Sequence, residues 1–122
     1  MELTPLVSLD TAKTYLRVDS SDEDALITFF LASAMRMVMD VSRLSYHEWL
    51  EIQKVTTDDD GNVITVRTDK YSVSEIIQMR ELLRIAILYA VGYLYEHREE
   101  ADHHDLMFTL RNLLFAIREG VL

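Results

Sequence analysis

The sequence contains no cysteine, so it can hold no disulfide framework, no thiolate metal site and no cysteine nucleophile. One proline and three glycines among 122 residues argue against collagen-like, linker-rich or turn-dense all-β architectures. Basic residues are scarce as well: 12 Lys and Arg stand against 21 Asp and Glu, a formal charge of −9. A chain this acidic is repelled by phosphate backbones, so independent nucleic-acid binding is not expected. The opening Met-Glu-Leu-Thr-Pro lacks the basic and apolar regions of a signal peptide. The uncharged stretch Ile85 to Tyr95 is eleven residues long, where a membrane-spanning helix needs about 20. It reads as a buried helix, and no membrane partner is expected.

What is present is globular: 49% hydrophobic and 27% charged residues, in a length that fits one domain over residues 1–122. The pattern predicts a mainly α fold, a four-helix bundle-like domain with a β-hairpin inserted between the second and third helices. The first helix follows Ser8 as N-cap, with Leu9, Ala12, Tyr15 and Leu16 on one face, and ends near Arg17 to Asp19. The second opens after Ser21 with Asp22, Glu23 and Asp24, acids that suit the positive end of the helix dipole, and runs to about Ser42. Ile52 to Thr57 and Val63 to Thr68 are β-prone and flank Asp58, Asp59, Asp60, Gly61 and Asn62, a hairpin signature. The third helix opens on the capping box Ser72-Val-Ser-Glu75 and runs to about Arg98. The fourth follows Asp102, repeats Leu106, Leu110, Leu113 and Ile117, and stops at Gly120.

Two helices carry more apolar surface than one stripe. The second has one row in Leu26, Phe30, Ala34, Met37 and Val41, and another in Ile27, Leu31, Met35 and Val38, widened by Phe29 and Met39. The third is apolar on every side from Ile85 to Tyr95, which predicts enclosure all round. Gly92 within it costs about 1 kcal/mol against alanine, as expected where another backbone approaches closely. A domain this small buries about two-thirds of its unfolded surface. Part of the second helix is therefore expected to meet another chain, unless the hairpin covers it.

No constellation spells catalysis or a cofactor. An EF-hand alignment that places Gly61 at the sixth loop position puts Arg67 at the bidentate position, which defeats calcium. His97, Glu100, His103 and His104 cluster, but their spacing fits a solvated turn better than zinc. No Gly-rich phosphate loop or nucleophile elbow occurs. Tyr89, Tyr93 and Tyr95 read as core or interface aromatics. The expectation is a non-enzyme without metal or cofactor.

Two segments carry a resemblance. The first is Ser8-Leu-Asp-Thr-Ala-Lys-Thr-Tyr-Leu-Arg-Val-Asp, continuing through an acidic start into an Ala- and Met-rich helix. The second is Ala86-Ile-Leu-Tyr-Ala-Val-Gly-Tyr-Leu-Tyr-Glu-His-Arg-Glu. In this order and spacing they resemble the gp6-like phage head-tail connector family, over roughly half the chain. The resemblance implies a small helical adaptor of a tailed bacteriophage or prophage, at the head-tail junction of the virion and in the host cytoplasm during assembly. It implies a ring, usually twelve-fold, beneath the portal protein. The ring would extend the DNA channel, without specific DNA binding, and carry the stopper or tail-completion protein. It implies no catalytic residues. Tyr15, Leu16, Asp19, Asp24, Tyr95 and Arg98 then look like fold-keeping positions.

These strands give one set of expectations. Subunits associate laterally through the second and third helices, with Phe29, Phe30, Met35 and Tyr93 as leading contacts. Arg111 and Arg118 on the last helix engage the portal. The hairpin, with Asp58, Asp59 and Asp60, faces the lumen or the next tail component. The rival readings are a dimeric helical regulator that binds another protein, and a metal-dependent hydrolase built on His97, His103 and His104.

Overall fold

The computed structural model describes residues 6–53, 55–57, 63–65, 70–99 and 103–120. Local capping sets most helix starts. In α1 (Leu9–Leu16) the Ser8 hydroxyl accepts the Thr11 N–H at 3.1 Å. The helix ends on Arg17, whose φ of 60° turns the backbone left-handed. The next helix, α2 (Asp24–Ser42), starts three residues later than the acidic signal at Ser21 and ends on Arg43, again at φ 60°. Next comes α3 (Tyr46–Gln53), opened by a reciprocal box: Ser45 N–H donates to Glu48 Oε1 at 3.2 Å, and Glu48 N–H donates to Ser45 Oγ at 3.1 Å. The same device, Ser72 with Glu75, opens the long α4 (Val73–Glu96) as expected. The last helical stretch is broken at Leu114 into α5 (His104–Leu113) and α6 (Phe115–Arg118). Backbone bonds continue across the break, from Leu114 N–H to Leu110 O and from Arg118 N–H to Leu114 O, each 2.9 Å.

The expected fold class needs correction. The molecule is mainly helical, with six helices among the described residues rather than four. A hairpin insertion is not supported as an element of the architecture. Ile52, assigned to its first strand, is instead fully buried in α3. Among the described residues, β-structure is confined to a ladder of three residues a side, β1 (Val55–Thr57) antiparallel to β2 (Val63–Thr65), with Thr56 opposite Ile64. It falls between α3 and α4 in the chain. The physical reason is the Ser45–Glu48 box, which commits the preceding stretch to helix and sends Trp49 and Ile52 into the core. Asp58, Asp59, Asp60 and Gly61 lie outside the described residues.

The core forms where α2 packs along α4, with α1 and α5 each touching both. From α2 it takes Ile27, Phe30, Leu31, Ala34, Val38 and Val41; from α4 it takes Met79, Leu83, Ala86, Ile87, Ala90, Val91 and Leu94. Leu106, Leu110, Leu114 and Ile117 close it from the C-terminal side. Both apolar rows of α2 are thus buried largely within the chain, covered by α1, α4, α5 and α6. By length and composition alone α2 is apolar enough to cross a membrane; its Ile27–Val41 side is instead core. The enclosure expected for Ile85 to Tyr95 does not hold, since Ile85 is 53% and Tyr89 38% exposed.

Candidate functional site

Polar ties fix how the helices meet. At the start of α2, Glu23 accepts the Tyr95 hydroxyl at 2.7 Å and Arg98 Nη1 at 2.9 Å. Those two hydrogen bonds hold its carboxyl below the usual range. Arg98 also lies over the Tyr95 ring at 4.5 Å. The tie joins the first turn of α2 to the end of α4, so the two packed helices run antiparallel. Beside it, Lys13 Nζ lies 2.7 Å from Asp24 Oδ1, an ion pair off hydrogen-bond alignment that links α1 to α2.

A second tie holds α3. Glu48 Oε2 accepts Lys70 Nζ at 2.9 Å and the Tyr71 hydroxyl at 2.8 Å, while Oε1 accepts the Ser45 N–H. Burial pushes this carboxyl up, but the bonds from Lys70, Tyr71 and Ser45 outweigh it and bring it down to about 2. The Tyr71 hydroxyl moves the other way, raised by burial and by its bond to Glu48. At the far end of α3, Arg80 Nη1 donates to Ile52 O at 2.7 Å.

Two of the histidines, His97 and His103, serve aromatic packing. His97 stacks on Tyr93 with centroids 4.1 Å apart, and its Nδ1 lies 3.0 Å from Tyr93 O. His103 meets the same ring edge-on at 6.4 Å, and His104 is the exposed first residue of α5. Among the described residues no group of three or more His, Asp or Glu is placed to hold a metal.

Among the described residues, apolar side chains reach solvent on several faces, among them those of α2, α4 and α5–α6. The outward side of α2 presents Ala25, Thr28, Phe29, Ala32 and Arg36, with Phe29 65% exposed. The outward side of α4 presents Ile77, Glu81, Ile85 and Tyr89. Next to it, Tyr15 of α1 leans over Gly92, so close that a Cβ at Gly92 would meet Tyr15 Cε1 at 3.1 Å. An aromatic ring, rather than the expected backbone, is thus what approaches Gly92. Around this point an open groove of about 450 Å³ is lined by Tyr15, Tyr89, Gly92, Tyr93 and Glu96 among others. On the third face, Phe108, Arg111 and Phe115 are exposed along α5 and α6, with Arg118 half-buried at the end.

The expected contact residues therefore separate. Phe29 is on the surface; Phe30 is in the core; Met35 and Tyr93 are half-buried. Phe29 and Phe30 line a second groove, of about 310 Å³, with Leu94, His97, Arg98 and His103. Arg111 and Arg118 share the α5–α6 face. Tyr15, Tyr89 and Ile85 were missed as a surface because periodicity does not tell a covered apolar side from an open one. Ser45–Glu48 could have been found, since it repeats the Ser-x-x-Glu signature of Ser72–Glu75.

A family model described as phage gp6-like head-tail connector protein matches residues 6–119. The chain belongs to that family. The gp6-like connectors are structural proteins of the phage head-tail junction, where they work with other head and tail proteins. No curated protein and no solved structure matches the chain. Within this connector, Tyr95, Arg98 and Asp24 hold helix ends together through the contacts above, and Tyr15 packs against Gly92.

Proposed function

We propose that this connector acts as a single-domain adaptor that closes into a ring beneath the portal, extends the DNA channel and offers a platform to the stopper or tail-completion protein. The supporting observation is that exposed apolar side chains stand on two different helices, Phe29 on α2 and Ile85 with Tyr89 on α4. A head-to-tail ring needs two different faces on each subunit; a two-fold dimer needs one face used twice. The α5–α6 face, with Arg111, Phe108 and Phe115, is separate from both and is left for the portal, where Arg118 joins it. The net charge of −9 suits a channel wall past which DNA slides without adhering. The ring is twelve-fold in this reading.

Native mass spectrometry of the protein mixed with its purified portal tests the reading. The expected result is a stable complex with one ring of subunits per portal. Absence of any complex across a range of salt concentrations overturns it. A sharp, concentration-dependent dimer that ignores the portal favours a protein-binding regulator instead.

A further inference from the structure

The last helical stretch repeats itself. From Asp105, the run Asp-Leu-Met-Phe-Thr-Leu-Arg is followed at once by Asn-Leu-Leu-Phe-Ala-Ile-Arg and then by Glu119. Phe108 recurs as Phe115, and Arg111 as Arg118, each seven residues on. Packing accounts for the aliphatic part, because Leu106, Leu110, Leu114 and Ile117 enter the core. It does not account for the two rings, which are 60% and 56% exposed, or for the arginines. A side that the fold leaves in solvent has no internal need of a seven-residue period. A second helix lying along that side reads such a period as its seam.

The two repeats share one side of the stretch. Hydrogen bonds from Leu114 N–H to Leu110 O and from Arg118 N–H to Leu114 O carry the helical path across the break. At about 100° per residue, Phe108, Arg111, Phe115 and Arg118 fall within roughly 80° of one another. Equivalent residues stand about 10.5 Å apart along the axis. The rings occupy the middle of the strip and the arginines one edge. The other edge carries Asp105, Asn112 and Glu119, all exposed and again seven residues apart.

Charge says what covers the strip. Lys13, Arg36, Lys70, Arg84 and Arg98 each lie beside a carboxylate. Arg111 and Arg118 have none among the described residues. Each closes a helix, where a cation suits the negative end of the dipole. That explains the charge and leaves the ring beside it unexplained. Once a partner covers the rings, the guanidinium groups next to them lose water and must meet carboxylates. A second copy of α5–α6 does not supply them: laid parallel it sets arginine against arginine, and laid antiparallel it brings the two acidic edges together. DNA is repelled by Asp105, Glu119 and the net charge of −9.

We propose that the α5–α6 strip docks a helix of the portal whose apolar seam carries carboxylates seven residues apart on the flank that meets Arg111 and Arg118. The proposal rests on the portal reading above and names the chemistry of the partner. Charge reversal by Arg111→Glu with Arg118→Glu is expected to weaken binding to the purified portal by about tenfold or more, with the helical circular dichroism unchanged. Arg111→Gln with Arg118→Gln is expected to flatten the salt dependence of binding. Because the chain has no cysteine, Asn112→Cys can carry a benzophenone maleimide beside the strip. Its photo-adducts on the assembled complex are expected on a portal segment bearing Asp or Glu at seven-residue spacing. Adducts on a portal segment without carboxylates, or undiminished binding after charge reversal, would overturn the partner's chemistry and leave portal docking standing. Adducts on another connector subunit would overturn the proposal and make the strip a lateral contact. Retention of a DNA duplex that the Arg→Gln variant loses would also overturn it, in favour of phosphate. Failure of the unaltered chain to bind the portal would remove both readings.

Discussion

The two sides of α4 are made of the same kinds of residue and meet opposite fates. Met79, Leu83, Ile87 and Leu94 on the inner side are closed off by α2 and α5, whereas Ile77, Ile85 and Tyr89 on the outer side stand in solvent. Hydrophobicity is therefore not what divides core from surface in this helix. The division is set by what the rest of the chain can reach, and it runs out of helices before it runs out of apolar surface. The inner side is also secured at both ends, by Glu23 with Tyr95 and by Glu48 with Tyr71. The outer side has no such anchorage among the described residues beyond the Tyr15 ring on Gly92.

Deleting side chains on each side should sharpen the contrast. Leu83→Ala removes a fully buried side chain and is expected to cost about 2–5 kcal/mol in urea unfolding. The acid limb comes next. The Glu48 carboxyl is depressed from 4.5 to about 2, so its contribution is complete above pH 4.5 and is lost as the pH falls towards 2. With Lys70 largely in solvent, that contribution is roughly 1–2 kcal/mol, less than the full shift implies. Stability across that window should therefore fall with pH for the native chain and fall less steeply for Glu48→Gln, with Glu23 supplying a remaining slope. The smallest effect belongs to the outer side. Ile85→Ser should change the stability of the isolated protein by less than about 0.5 kcal/mol, while weakening assembly on the portal. An equal loss of stability at Leu83 and Ile85 would erase the distinction between the sides.

Signals confined to a few neighbouring residues were legible in the sequence. Ser8, and Ser72 with Glu75, gave their helix starts because a cap is a contact across three residues. The α3 helix was missed because Tyr46, His47 and Trp49 offer no clean period, although its box was written in Ser45 and Glu48. The break at Leu114 carries no glycine or proline to mark it. Phe29 and Phe30 are adjacent and alike, yet only one is core, and that choice depends on where α4 and α5 come to rest. The Glu23–Arg98 pair joins residues 75 positions apart, beyond the reach of any local pattern. The family motifs, by contrast, survive reading piece by piece, and so the connector identity was visible before the fold was.

Both α1 and α2 stop on an arginine held at φ 60°, a torsion glycine reaches without a side-chain clash. Each bend thus carries a standing torsional cost of about 1 kcal/mol that the rest of the molecule offsets. Trimming Arg17 or Arg43 to glycine would relax the corner and leave the helix end where it is. The connector thus holds latent thermal robustness at two surface corners, which could be released without touching its core.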